Sequence, residues 1–586
     1  MFKVFKYLRA REWIMAAISL ALIVTQIWLD LKLPEIMRDF TVILNTTGNT
    51  MGDVWINGAR MILYTLIGIA FAITTGYLAA RIAAGFSQRL RTMLYDKVDT
   101  FSMEEISRFS TASLITRSTN DITQVQMLIM MLLQMIVKAP ITAALATSKI
   151  VGKGYEWSLI TVVGVIIVVS LVALMLVFVF PKFRKMQILT DNITKVTREG
   201  LTGLRVIRAY SAEEYQESKF QRANDELTST QLFTARANVI MSPMLMLTMS
   251  GLTLAINWIG AYMVNSALVP DRVEVFSNMI VFSSYVMQIV TSFMTLAMMF
   301  VVLPRAAVSA KRINEVIDTV PAVTEGQSIK GLDGKSGEVA FSHVSFKYPD
   351  AEEYVLKDIT FTAKKGETVA FVGATGSGKS TLINLVPRFF DATEGEVTID
   401  GINVKDYKFE VLFNKIGYVP QQAVMFRGTV ESNVAFGDFS DVGYSLDDVK
   451  RAVRIAQGAD FVEEMDGGYE ADISQSGTNI SGGQKQRLAI ARAICRKPEI
   501  IIFDDSFSAL DYKTDRVLRT ALKKETAGVT CLIVAQRIGT IMDADRIIVL
   551  DEGTVVGSGT HKQLLKDCSV YKEIALSQLS EEELVS

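Results

Sequence analysis

A run of glycines and small polar residues in the second half of the chain has the make-up of a phosphate cradle. The strand-like ETVAFV leads into GATGSGKST, where Gly373, Gly376 and Gly378 precede Lys379 and Ser380. Glycines let successive backbone N–H groups wrap phosphate oxygens. In such a loop Lys379 reaches the β- and γ-phosphates and Ser380 ligates Mg²⁺, with Ser377 and Thr381 in the same turn. Farther on, EIIIFDD is an apolar strand ending in acid, and Asp504 at its carboxyl end is placed to hold the Mg²⁺ hydration shell. Between them, in NISGGQKQRLAIARAI, Ser481, Gly482, Gly483 and Gln484 open a helix whose N–H groups and dipole form a second anion site. One chain has no use for two cradles on one nucleotide. The second is therefore expected to serve a nucleotide held by another subunit.

The rest of the sequence must position these groups. A chain of 586 residues exceeds one compact core, so at least two domains are expected. Half of the residues are hydrophobic, and the long apolar runs fall in the first half. From about Gly337 the chain reads as a soluble α/β domain. The net charge of -2 gives no argument for a nucleic-acid partner. Cys495, Cys531 and Cys568 lack metal-ligand spacing and fit a reducing compartment.

Six apolar stretches are long enough to span a bilayer, near 14–33, 61–80, 127–146, 159–180, 239–261 and 276–302. The N-terminal MFKVFKYLRAREW is basic and amphipathic, and reads as a retained surface elbow rather than a cleaved signal. Lys138 and Pro140 interrupt the third stretch. Lys138 either faces the protein interior or a wet cavity, or snorkels to the interface. Lysines and arginines crowd the segments after the second and fourth stretches, among them Arg81, Arg89, Lys97, Lys182, Arg184 and Lys185. That bias places both long loops and both termini in the cytoplasm. The loops keep helical periodicity, so the spans are expected to extend into the cytoplasm, with tips near STASLITRSTND and RAYSAEEYQ. Methionines such as Met127, Met135, Met246, Met287, Met298 and Met299 suit either an adaptable binding surface or lipid-facing filler. Ser283, Ser284, Gln288, Thr291 and Ser292 put a polar stripe on the sixth helix, for a lined pathway or for interhelical hydrogen bonds.

These motifs in this order, from the phosphate loop through ISGGQ and IIIFDD to SALD, resemble the ATP-binding cassette superfamily. Six spans ahead of the cassette resemble its half-transporter exporters. The resemblance implies an all-α membrane domain over 1–325, a linker over 326–336 and an α/β nucleotide-binding domain over 337–586. It implies ATP and Mg²⁺ as cofactors and two cassettes paired head to tail around two ATP molecules. Tyr348 matches the aromatic that stacks on adenine. Gln421 matches the glutamine that contacts Mg²⁺, beside Ser380 and Asp504. Ser508 to Asp511 match the loop that crosses the cassette dimer, and the loop tips match the helices that seat on the cassettes.

Three positions depart from the family pattern. Asp505 stands where the family has the glutamate that polarises attacking water. An aspartate carboxylate is drawn back by roughly 1.5 Å, and a misplacement of about 1 Å can cost around 100-fold. Gln536 takes the slot of the switch histidine, and an amide can neither become cationic nor relay a proton. Gln475 replaces a glutamate before the signature. The signature itself is nearly intact, with Ile480 for leucine. These features resemble the degenerate-site subunit of heterodimeric multidrug exporters of Gram-positive bacteria. The expected protein is thus a plasma-membrane exporter subunit for amphipathic or hydrophobic compounds, paired with a second half-transporter that carries the glutamate and the histidine. A lipid or peptide exporter subunit and an ATP-gated, channel-like protein are the alternatives.

Overall fold

The computed structural model describes all residues except 1, 46–49, 152–154, 333, 438–442, 581–583 and 585–586, with the side chains of a few more, including Arg184, Met298 and Met299, outside the description. Two compact units emerge, one of Met1–Asp99 with Ala112–Thr319, the other of Thr100–Thr111 with Val320–Ser586.

The first unit is helical. Among the described residues six helices are long and apolar enough to cross a membrane: Ala10–Leu44, Met51–Asp99, Thr111–Ile150, Tyr155–Thr202, Glu213–Ser266 and Arg272–Leu296. Five of the expected stretches lie wholly on them, and the sixth, near 276–302, begins on the last and continues along the helix Arg272–Asp318. The second to fifth spans run far beyond a bilayer's ~20 residues, as the periodicity of the long loops required. One expected tip moves: most of STASLITRSTND is helical, and the turn falls earlier, around the short helix Met103–Phe109. RAYSAEEYQ does form a turn, between helices Leu204–Ala209 and Glu213–Ser266.

Close helix packing rests on two glycines. A Cβ at Gly164 would lie 2.4 Å from Leu252, and one at Gly260 would lie 2.3 Å from Met279. Tyr285 is fully buried and donates to the Leu31 carbonyl at 3.0 Å, tying the sixth span to the first. The methionines divide: Met135 and Met287 line a cavity, Met249 and Met294 pack on the apolar core, and Met127 and Met246 point outward. Of the expected polar stripe, Ser284, Gln288, Thr291 and Ser292 line that cavity, and Lys138 joins them; Ser283 does not.

Among its described residues the second unit carries twelve strands: β1 Val339–Phe346, β2 Leu356–Ala363, β3 Thr368–Gly373, β4 Glu394–Ile399, β5 Ile402–Asn403, β6 Ile416–Val419, β7 Gly428–Thr429, β8 Asp472–Ile473, β9 Ile500–Asp504, β10 Thr530–Val534, β11 Arg546–Asp551 and β12 Thr554–Gly559. A six-stranded sheet has the order β12-β11-β3-β10-β9-β6, and a four-stranded antiparallel sheet the order β2-β1-β4-β5. Strands buried on both faces need near-continuous apolar sequence, and β9 and β10 have it. One core fills the space around the two sheets, including Phe341, Phe371 and Leu532, and a second gathers Val430, Val453 and Leu488 of the helical part. The segment expected as a linker is laid along this unit: Gly326 N–H donates to the Tyr407 carbonyl at 3.0 Å and Gln327 N–H to that of Asp406 at 2.8 Å.

Valine at Gly164 or Gly260 should overpack the bundle by about 1–3 kcal/mol and lower the melting temperature of detergent-solubilised protein. Gly251→Ala, where a Cβ meets nothing within 4 Å, should not. Equal melting temperatures for all three would contradict the packing described.

Candidate functional site

Three loops leave one edge of the six-stranded sheet. β3, β10 and β9 are adjacent and parallel, with Val534 opposite both Phe371 and Asp504. Their carboxyl ends deliver the glycine loop after Gly373, the Ala535–Arg537 turn, and the Asp504–Asp505 pair. Ligands of parallel α/β sheets bind at this edge.

The glycine loop is built on positive backbone φ angles of 88° at Gly376 and 95° at Gly378, which an L side chain enters only at a cost. A Cβ at Gly378 would also press to 2.8 Å from Leu356. The loop runs into the helix Lys379–Asn384. Lys379 is buried and its ammonium donates to the carbonyls of Gly373 at 2.9 Å and Ala374 at 2.7 Å. Burial pushes its pKa down, against the pull of Asp505 and Asp504. Ser380 Oγ donates to Asp504 Oδ1 at 2.8 Å, so two oxygen ligands suited to a hard divalent cation already touch. Tyr348 OH lies 3.0 Å from Thr381 Oγ1, and its ring meets Phe346 and Phe390 edge-on. A cation among carbonyls, a paired hydroxyl and carboxylate, and a glycine-rich loop form a donor set that fits a Mg²⁺-triphosphate.

Asp505 is the most constrained member. It has a positive φ of 47°, in the left-handed region that aspartate enters more readily than most residues. Its N–H donates to the Val534 carbonyl at 3.0 Å. Its Oδ2 accepts from Gln536 Nε2 at 2.9 Å and from Gln421 Nε2 at 3.3 Å. Thus Asp505, Gln536 and Gln421 meet at one carboxylate. Burial raises the Asp505 pKa, opposed by hydrogen bonds from Ser508, Gln421 and the Gln536 backbone and by the Lys379 charge. Burial raises Asp504 as well, with the Asp505 charge adding to it and the Ser380 bond opposing it.

The signature residues sit where expected, at a helix start. Ser481 caps Gly482–Cys495 in a reciprocal box: Gln484 N–H donates to Ser481 Oγ at 3.3 Å, and Ser481 N–H to Gln484 Oε1 at 2.8 Å. Gly482 has open space around a notional Cβ. Gln486 Nε2, one turn on, donates to the Pro420 carbonyl at 3.2 Å and so links this helix to the segment holding Gln421. Asp511 caps the helix Tyr512–Glu525 by accepting from Thr514 N–H, and Gln475 lies in a short helical turn before the signature.

Sequence reasoning missed Gln578. Its Oε1 accepts from Ile538 N–H at 2.8 Å and its Nε2 donates to the Gln536 carbonyl at 2.8 Å. It follows the helix Ser569–Leu576, some forty residues from the loop it clamps, so nothing local in the sequence marks it.

The sequence matches the ABC transporter family over residues 356–508 and the ABC transporter transmembrane region over residues 13–293. An ABC transporter ATP-binding protein of Mycobacterium tuberculosis is 39% identical over 526 residues, 89% of this chain and 88% of its own. The ABC transporter ATP-binding protein YfiB of Bacillus subtilis is 34% identical, with 97% of each chain covered. An ATP-dependent lipid A-core flippase of Pseudomonas aeruginosa is 30% identical, with 86% and 82% covered. The fold is similar to that of a bacterial Atm1-family ABC exporter with ATP bound, at a TM-score of 0.77 and 24% identity over 97% of this chain and 98% of that one. The chain belongs to the ABC transporter family. Within it, the chain is a multi-pass half-transporter of exporter-type fold, and the cassette is of the class that binds and hydrolyses ATP, generally with Mg²⁺.

Two outcomes follow. Because both aspartate pKa values are raised, protons compete with Mg²⁺ as pH falls through them. Mg²⁺-dependent binding of ATP should weaken on acidification, and Asp504→Asn should flatten that dependence; an unchanged slope in titrations of the variant would contradict it. Gln578→Ala removes two hydrogen bonds, each worth about 1 kcal/mol. Amide exchange at Ile538 should accelerate roughly tenfold, and equal protection would refute the clamp.

Proposed function

We propose that this chain is one half of an ATP-driven exporter whose two nucleotide sites are unequal, and that its own phosphate loop serves the hydrolysis-poor site. The observation that carries the reading is the hydrogen bonding of Asp505 to the amides of Gln536 and Gln421. A general base for water needs a carboxylate within reach and a route for the proton. Here the acid is a short one, and an amide takes its oxygen from the switch position. Neither glutamine accepts a proton or becomes cationic. Binding needs less: in this reading Lys379, Ser380, Asp504 and the glycine loop hold the Mg²⁺-triphosphate, Tyr348 stacks on adenine, and Gln421 reaches the metal.

Ser481 to Gln484 keep the helix start that would face the γ-phosphate of the second half-transporter. That partner supplies the glutamate and histidine absent here. Closure of the paired cassettes on ATP moves the membrane domains from inward-open to outward-open, and cleavage at the partner's site lets them part. In this reading the lysine and arginine bias of the loops puts both termini and the cassette in the cytoplasm of a bacterial cell, with an amphipathic or hydrophobic compound as cargo. The flippase relatives favour a second reading of that cargo as a lipid.

Purified alone, the chain should bind ATP yet turn it over about 100-fold more slowly than the complete pair. Asp505→Glu with Gln536→His should raise turnover about tenfold or more. The double variant is the informative one, because glutamate alone would still have to enter the left-handed backbone at this position. Brisk turnover by the unpaired wild-type chain, lost in Asp505→Asn, would overturn the reading.

A further inference from the structure

The membrane unit has an open cavity of about 600 Å³ between the first, third and sixth spans. Its walls are apolar at Ile27, Leu33, Met135 and Met287, and polar at Asp30, Gln134, Lys138, Gln288 and Thr291. A charged side chain within a spanning helix is costly and marks a functional path by default. Two of opposite sign line this one. Lys138 Nζ lies 3.7 Å from Asp30 Oδ2, a long pair, and the two side chains remain 36% and 39% exposed. Among the described residues neither has another side-chain partner, so most of their hydrogen-bonding capacity is open to the cavity.

The neighbours are equally unspent. The Gln134 and Gln288 amides make no side-chain hydrogen bond among the described residues. The hydroxyls of Thr142, Thr291 and Ser292 donate backward to the carbonyls of Lys138, Met287 and Gln288, which leaves their lone pairs as acceptors. Local backbone geometry is also irregular here. Leu132–Ile136 is a π-helical turn that carries Gln134 and Met135 to the cavity, and such turns gather at functional sites. Pro140 follows directly.

We propose that this cavity binds the zwitterionic head of an amphipathic substrate, its anionic group on Lys138 and its ammonium on Asp30, with the apolar body along Met135, Met287 and Ile27. A purely apolar ligand would strip water from both charges without replacing it. A singly charged head would satisfy one of them and crowd the other with its like charge. A zwitterion exchanges one internal pair for two intermolecular ones. The assignment rests on the export reading for its biological sense, but the binding does not depend on hydrolysis. Zwitterionic phospholipids and apolar peptides with free termini share this chemistry.

The test uses the chain with its natural partner half in nanodiscs, without nucleotide. Equilibrium binding is measured for dodecylphosphoethanolamine, dodecyl phosphate and dodecylammonium, and for an apolar tripeptide with free or blocked ends. The zwitterionic alkyl probe should bind at least about tenfold tighter than either singly charged one, since each charged hydrogen bond is worth that much or more. Asp30→Asn should erase the preference over dodecyl phosphate, and Lys138→Gln the preference over dodecylammonium. The exchanged variant Asp30→Lys with Lys138→Asp keeps the pair and should restore both, which separates recognition from failure to fold. The free tripeptide outbinding the blocked one would assign a peptide source; the alkyl zwitterion alone would assign a lipid source. Equal affinity for all heads, or preferences that survive the single variants, overturns the proposal. So does a change in subunit assembly with head preference untouched. Neither result bears on turnover at Asp505, so this proposal and the unequal-site reading fail separately.

Discussion

A buried carboxylate has to find hydrogen-bond donors, and the chemistry it can perform depends on which donors it finds. Asp505 is held at a left-handed backbone turn beside a second acid, and its Oδ2 is taken by Gln536 and Gln421. The strand order β3-β10-β9-β6 brings these groups together, because the segments that carry Lys379, Gln536, the two aspartates and Gln421 leave adjacent strand ends. Gln578 then fixes the Gln536 loop from the far end of the chain. The outcome is a carboxylate whose Oδ2 is occupied by two glutamine amides. In the proposed reading the remaining contacts suffice to grip a Mg²⁺-triphosphate, and amides that can relay no proton work against splitting it.

The same economy governs the membrane half. Tyr285 spends its hydroxyl on a carbonyl of the first span, and the glycines at 164 and 260 let neighbouring side chains close in. Those contacts make a tight bundle. Around Lys138 the pattern reverses: a long ion pair, idle amides and a π-helical turn surround open volume. The cavity thus gathers polar side chains whose hydrogen-bonding capacity faces open volume.

Much of this was legible in the sequence because it is local. Glycine spacing, an apolar strand ending in two acids, and a serine before two glycines each name their own backbone geometry, and the spans announce themselves by length. The long loops kept a helical period and proved helical. What sequence could not give is contact between distant residues. Gln578 carries no motif, and its partners lie about forty positions away. The first loop tip was placed too late because STASLITRSTND reads as turn-forming by composition, while the bundle draws it into a helix through a π-helical turn at Arg117–Asp121. The resemblance implied a linker over 326–336, and the backbone N–H groups of Gly326 and Gln327 donate to the carbonyls of Tyr407 and Asp406. Lys138 was open between cavity and interface until Asp30 was seen beside it.

The most direct test of the central claim is site-resolved single turnover. The complete pair is loaded with a photoreactive ATP carrying label on the γ-phosphate, allowed one round of turnover, then crosslinked and separated by subunit. The account predicts that nucleotide crosslinked at this chain's phosphate loop retains its γ-phosphate while that on the partner has lost it. Equal loss of the γ-phosphate from both would contradict it.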